Sequence, residues 1–364
     1  MDWKDYGQLT AAGNSLRKQY GLQTYHDSDQ DMDAWLSAHS FSCVIAILID
    51  AMGISVMQKH LDPHGFFRSH TIKEMTTVFP PTTSAATTSF RTGKSPAENG
   101  WLGWNQYFRE LDDNLILFRS QSQYSDVIYP DFIKETIPYT DLVQDLQAEG
   151  ITSASIWPAW SPVHPSRTYS ELLNNARKQA VDEHARFVYA YWDALDTLMH
   201  QAGPSSAQAG ELLRQIEAET ESFAETLPED ICVVIVADHS QIDIHQKDLE
   251  AEKEICACFE HEPALEPRTI AFYIKKEKRD EFTARFQQTF GHDYHLYTKA
   301  EVLAGKFFGE GVPFARYEEF IGDYLAVGKS DLQLYYKKGK GKKGDHAGGL
   351  KEEALIPLIL YTKQ

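Results

Sequence analysis

Three apolar runs in this chain each give way to an aspartate, and that recurrence restricts the fold more than any other feature. Cys43-Val-Ile-Ala-Ile-Leu-Ile49 leads to Asp50, Arg186-Phe-Val-Tyr-Ala-Tyr-Trp192 to Asp193, and Ile231-Cys-Val-Val-Ile-Val-Ala237 to Asp238-His239. Strands that are apolar on both faces belong inside a parallel sheet covered by helices. Another apolar stretch at 151–156, and helices expected near 170–183 and 206–227, complete a strand–helix alternation of the βαβ kind. The expected fold is α/β, with a mostly parallel central sheet flanked by helices on both faces. Such sheets place ligands at the carboxyl ends of their strands, where these acids fall.

A last apolar segment, Leu355-Ile-Pro-Leu-Ile-Leu-Tyr361, contains Pro357, which has no N–H for a ladder, so an edge strand or one beginning near the proline is expected. Residues 1–40 read as polar helices anchored by Leu16, Tyr20, Trp35 and Leu36. The whole chain, 1–364, is expected to form one domain. Segments of approximately 101–150, rich in aromatics, and 241–330 fit the core sheet less well and read as insertions forming a cap or subdomain.

With 53 acidic against 35 basic residues the formal charge is −18, which argues against a nucleic-acid polymer or an anionic membrane as partner. A small anionic substrate drawn in by metals or local charge stays open. No apolar run approaches a membrane span and the N-terminus has no apolar leader, so a soluble cytoplasmic protein is expected. Cys43, Cys232, Cys256 and Cys258 are expected to be reduced thiols, the last two too close and isolated for a zinc ribbon. The basic, glycine-rich segment 337–343 reads as a solvated loop, with attraction of phosphate as its functional alternative.

The chemistry gathers around Val78-Phe-Pro-Pro-Thr-Thr-Ser-Ala-Ala-Thr-Thr-Ser-Phe-Arg-Thr-Gly93. The prolines cannot extend a helix backwards, Ser84 to Thr92 can form one, and Gly93 suits its end. Thr82 or Thr83 therefore sits at a helix start, beside unpaired N–H groups that favour phosphate. Asp196 and His200 are four apart and project together from one helical turn. With Asp50, Asp238, His239 and His346, the last in Gly344-Asp-His-Ala-Gly-Gly349, they make three carboxylates and three imidazoles at strand ends or adjoining loops. Zinc and manganese accept such donors. Two dications against three carboxylates leave a charge of about +1, suited to phosphate, and such a pair can activate a hydroxyl and hold the leaving oxygen.

These segments, in this order, resemble the motifs of the alkaline phosphatase superfamily, and within it the type I phosphodiesterase/nucleotide pyrophosphatase group. The resemblance covers about residues 43–100, 186–240 and 340–361. It implies that Asp50, Thr83, Asp238 and His239 hold one metal and Asp196, His200 and His346 the other, with zinc the usual ion and manganese the alternative. The spacing to Thr92-Gly93 selects Thr83 over Thr82 as nucleophile, forming a covalent phospho-threonine. Asp193 has no place in the motif and reads as structural. The chain departs from the group at Ala86-Thr87, where members with pyrophosphatase activity carry Asn-His, and Asn105 lies one residue from the place of a second Asn that binds a phosphate oxygen. Asn105 is thus a candidate substrate contact. His164 and Arg167 read as turn residues, and Trp157 and Trp160 as packing. The function implied is a phosphodiesterase or nucleotide pyrophosphatase acting on a small phosphorylated substrate, with a phosphomonoesterase or phosphonate hydrolase as the alternative use of the same site. No Cys/Ser-x-Pro-x-Arg segment supports a sulfatase. A metal-stabilised binding protein without turnover is the reading from another class, and the oligomeric state is left open.

Overall fold

The computed structural model describes residues 5–363, organised around two seven-stranded sheets. The first takes the order Thr71–Thr76, Leu355–Thr362, Ile231–Val236, Cys43–Ile49, Phe187–Trp192, Ser153–Pro158, Pro165–Ser166. Four of its six neighbour pairings are parallel and two, both made by Leu355–Thr362, antiparallel. Cys43–Ile49 lies at the centre, every residue buried, as the unbroken apolar run requires. Helices Gln8–Gln19, Thr83–Thr92, Tyr169–Val181 and Ala207–Glu225 cover this sheet through one apolar core. Leu16 and Leu36 are buried in that core, with Tyr20 and Trp35 packed on its margin.

Leu355–Thr362 is an interior strand rather than the edge, which is Thr71–Thr76. Its pairing with Ile231–Val236 begins at Leu358, one residue past Pro357, so the absent N–H interrupts no bond on that side.

The second sheet is antiparallel throughout, in the order Tyr294–Thr298, Tyr324–Gly328, Thr269–Ile274, Phe259–Leu265, Asn105–Phe108, Asp113–Ile116, Gln121–Ser122. Its strands come from two distant stretches of chain, joined where Leu265 pairs with Asn105. The helix Leu142–Ala148 packs into the core of the first sheet. The two sheets are bolted together by Arg268, in the turn before Thr269–Ile274, and Glu353, both fully buried: Nε and Nη2 reach the two carboxylate oxygens at 2.8 and 2.9 Å. Glu353 also accepts the Gly348 N–H at 2.8 Å and the Leu350 N–H at 3.2 Å, and so holds the loop that carries His346.

Candidate active site

All the candidate donors converge at the carboxyl end of the three parallel strands. Asp50 follows Cys43–Ile49 directly, and Asp238 and His239 follow Ile231–Val236 after one residue. Asp196 and His200 lie on the helix Ala194–Ala202 that leaves Phe187–Trp192, and His346 follows the short strand Gly344–Asp345. That last strand passes so close to the helix that a Cβ on Gly344 would stand 2.6 Å from the Met199 carbonyl oxygen, so no larger residue fits.

Two donor groups result, Asp50 with Asp238 and His239, and Asp196 with His200 and His346, the ligand atoms of each lying within 4.8 Å of one another. The His239 and His346 rings stack at 3.8 Å between centroids, so the groups adjoin. In the first, Asp238 Oδ1 accepts the backbone N–H groups of Ala51 and His239, both at 3.0 Å, and Asp50 Oδ2 accepts the Tyr191 hydroxyl. The other oxygens, Asp50 Oδ1 and Asp238 Oδ2, are buried without a hydrogen-bond partner and lie 3.3 and 3.6 Å from His239 Nε2.

The imidazoles are oriented from behind. Nδ1 of His200 faces the Gly344 carbonyl at 2.9 Å, that of His239 the Ser240 carbonyl at 3.1 Å, and that of His346 the Pro81 carbonyl at 3.0 Å. Each Nδ1 therefore carries a proton, and a ring that holds no second one turns its Nε2 lone pair towards the carboxylates. Lone pairs facing carboxylate oxygens, two of them orphaned in the interior, are tolerable only with positive charge between them. The donor set thus fits divalent cations in both groups.

The electrostatics agree. Burial, with the carboxylates of Asp238 and Asp196, pushes the Asp50 carboxyl well above the usual range. Burial also opposes ionisation of Asp196, yet positive charge on the facing imidazoles, that of His200 first, outweighs it and holds that carboxyl well below the usual range, and Asp196 in turn raises the His200 pKa against burial. Burial and then His239 keep the His346 imidazolium from forming.

Thr83 opens the helix Thr83–Thr92, its Oγ1 3.2 Å from His239 Nε2 and 3.4 Å from Asp50 Oδ2. The hydroxyl of Thr82 points elsewhere, to the buried carboxylate of Glu266. Thr83, Asp196, His200 and His346 share a cavity of about 590 Å³, which Asn105 and the second sheet also line.

The sequence profile of the type I phosphodiesterase / nucleotide pyrophosphatase family matches residues 44–349, most of the chain, including Thr83 and every residue of the two donor groups. The chain belongs to that family. It is accordingly a hydrolase of phosphoric ester or phosphoanhydride bonds. Among solved structures, this family member shares its fold with murine ectonucleotide pyrophosphatase / phosphodiesterase 5, at a TM-score of 0.66 and 16% identity over 87% of each chain. The human counterpart gives a TM-score of 0.67 and 16% identity, over 88% of this chain and 87% of that one. Phosphonoacetate hydrolase from Sinorhizobium meliloti 1021 gives 0.64 and 13%, over 88% and 90%. No curated protein matches by sequence.

Other residues of this phosphodiesterase-family chain take more varied places. Asn105 lines the cavity, but its Nδ2 donates to the Leu265 carbonyl at 3.0 Å, which leaves one amide N–H for a ligand. Asp193 Oδ2 accepts the Trp160 indole N–H at 2.7 Å, a structural bond. Trp157 packs among Tyr189, Tyr191 and Arg91, and His164 and Arg167 are exposed and do not line the cavity. Three polar residues that composition and spacing do not reveal also serve the site. Tyr191 bonds Asp50, Gln241 Nε2 donates to Asp196 Oδ1, and Glu266 bonds Thr82. Tyr191 could have been suspected from its place at the end of an apolar strand; Gln241 and Glu266 carry no sequence signal.

Proposed function

We propose that this protein is a two-metal phosphodiesterase or nucleotide pyrophosphatase that cleaves its substrate through Thr83. The observation that carries the reading is the hydroxyl of Thr83 at a helix start, facing His239 and Asp50 on the wall of the cavity that Asp196, His200 and His346 share. Thr82, with its hydroxyl engaged by Glu266, is the poorer choice. The murine relative is inactive when a threonine is replaced by alanine, and that variant was determined in complex with AMP.

Asp50, Thr83, Asp238 and His239 would hold one divalent ion and Asp196, His200 and His346 the other, zinc being our choice and manganese the alternative. Bound there, such ions neutralise charge on the attacking and leaving oxygens and acidify a coordinated hydroxyl. The chain's own groups do the rest. The free N–H groups of the first helical turn meet the non-bridging phosphoryl oxygens, with the remaining amide N–H of Asn105. Thr83 Oγ1, whose proton Asp50 Oδ2 is placed to accept and return to solvent, attacks phosphorus as the bond to the departing oxygen on the opposite side breaks, and that oxygen takes a proton from solvent. Water then attacks the phospho-threonine, the Oγ1–phosphorus bond breaks, and one proton of that water restores the hydroxyl. A small soluble phosphate ester and a reducing, cytoplasmic setting complete the reading; the four cysteines are free thiols.

A phosphomonoesterase or phosphonate hydrolase is favoured by one observation: Lys338, Lys340 and Lys342 border the same cavity and suit a more highly charged substrate. Hydrolysis of bis-p-nitrophenyl phosphate beside p-nitrophenyl phosphate, before and after chelation, separates the readings. Faster, chelator-sensitive diester cleavage supports the first, faster monoester cleavage the second. Silence on both with two metals bound would favour a binding protein.

A further inference from the structure

Glu266 stands on the cavity wall, in the turn between the strands Phe259–Leu265 and Thr269–Ile274. The residue before it, Leu265, has φ 73°, a left-handed conformation that is unfavourable for a side chain with a branched body, and this bend turns the glutamate inward. Only 6% of Glu266 is exposed. Its Oε1 accepts both the Thr82 hydroxyl and the Trp104 backbone N–H, the latter at 2.7 Å. Its Oε2 accepts from no group among the described residues, and is not among the partnerless atoms sealed from solvent, so it opens onto the cavity.

A carboxylate oxygen withdrawn from bulk water without a partner is costly. Neither donor group uses Glu266, and none of the lysines bordering the cavity pairs with it; Lys342 reaches Asp345 instead, at 3.3 Å. Burial pushes the Glu266 carboxyl up to about 7, so above that pH, where the test below is run, it is ionised, accepts hydrogen bonds and donates none, and repels a second anion. Its anchor, Thr82, is the residue immediately before the attacking threonine, and Glu266 and Thr83 line the same cavity.

We infer that Glu266 is a specificity-determining residue whose Oε2 accepts a hydrogen bond from a hydroxyl or ammonium group on the organic part of the substrate, next to the scissile phosphoryl group. The inference rests on the reading of Thr83 as the attacking group. It narrows the substrate to phosphoric esters whose organic group offers such a donor near the ester oxygen, as a sugar or an aminoalkyl chain does.

The test needs no turnover. Calorimetry on the metal-loaded protein at about pH 8 would compare 2-hydroxyethylphosphonate, which differs from ethylphosphonate only in its donor, and 2-aminoethylphosphonate, whose donor also carries a charge, with ethylphosphonate. A hydrogen bond to a charged acceptor predicts that at least one donor ligand binds about tenfold or more tightly than ethylphosphonate. Glu266→Gln can keep the acceptor towards Thr82 and Trp104 while placing an N–H in the cavity, and it should bring that ratio near unity. Equal affinities in the wild-type protein, a ratio preserved in Glu266→Gln, or an equal loss for all three ligands would each overturn the inference, the last by making Glu266 a mere support for Thr82. The wild-type comparison stands even if the variant folds poorly. Cleavage of bis-p-nitrophenyl phosphate is followed in parallel: its absence with the ligand ratio intact would count against Thr83 chemistry and not against Glu266.

Discussion

Glu353→Gln should loosen the bolt between the sheets and the metal site together. In the native protein Glu353 neutralises the Arg268 guanidinium where both side chains are wholly buried, and among the described residues the only other acceptor that Arg268 has is the Leu332 carbonyl at 2.8 Å. Removing one partner of a buried pair costs about 3–5 kcal/mol, because a charge is left without compensation. Glutamine keeps one acceptor oxygen, so a loss of about 3 kcal/mol, at the lower end, is the working figure. For a domain of this size that corresponds to a fall in Tm of about 4 °C. Because Glu353 also holds Gly348 and Leu350, the loop carrying His346 should lose its position, and bound metal should fall below that of the wild type. Urea unfolding, with metal content measured on the same samples, gives both numbers. The double variant Arg268→Met/Glu353→Leu removes the charges together and should recover most of the stability. A single variant within about 1 kcal/mol of wild type, or a double variant no better than the single, would refute the reasoning.

Thr83→Ala should abolish turnover, by about a thousandfold or more, while metal binding persists through the remaining ligands, whereas Thr82→Val should keep measurable activity; steady-state rates with metal analysis check both. Tyr191→Phe deprives Asp50 Oδ2 of its hydroxyl donor and should lower kcat about tenfold without unfolding, as second-sphere changes do, readable by kinetics beside thermal melts. Lys338→Ala/Lys340→Ala should raise KM for polyanionic esters and flatten its dependence on salt, since these exposed lysines act by screened attraction; KM measured across ionic strength tests this. The half-buried His26–Glu98 pair raises the histidine pKa, chiefly through its hydrogen bond, so its stabilisation is complete below the unfolded value of about 6.5 and disappears as pH rises through the raised folded value. His26→Gln should therefore be less stable than wild type by about 0.5–1 kcal/mol near pH 6 and converge with it above pH 8, as measured by urea unfolding.

The two donor groups of the site were legible because their residues are local signals. An aspartate closing an apolar strand, an Asp-His pair one helical turn apart and an Asp-His dipeptide each announce themselves within a few positions, and a parallel sheet brings strand ends together. What remained hidden depends on contacts across the chain. Glu266 reaches Thr82 over 184 positions and Gln241 reaches Asp196 over 45, and nothing in their neighbours marks them. The second sheet was obscured similarly: Asn105–Phe108 and Phe259–Leu265 are short or irregular strands that meet at one paired residue. Of the two places Pro357 allowed, the edge is excluded and a strand beginning near the proline is found, since its missing N–H faces a side where pairing has not yet begun.

The donor atoms come from the strand ends of one sheet, whereas much of the cavity wall comes from the other sheet and the lysine loop. Heritable change can therefore act on the two separately. A duplicated copy of this gene could drift through the residues around 104–124, 263–270 and 336–342, trying new occupants for the cavity, while the reaction itself passed unaltered from one generation to the next.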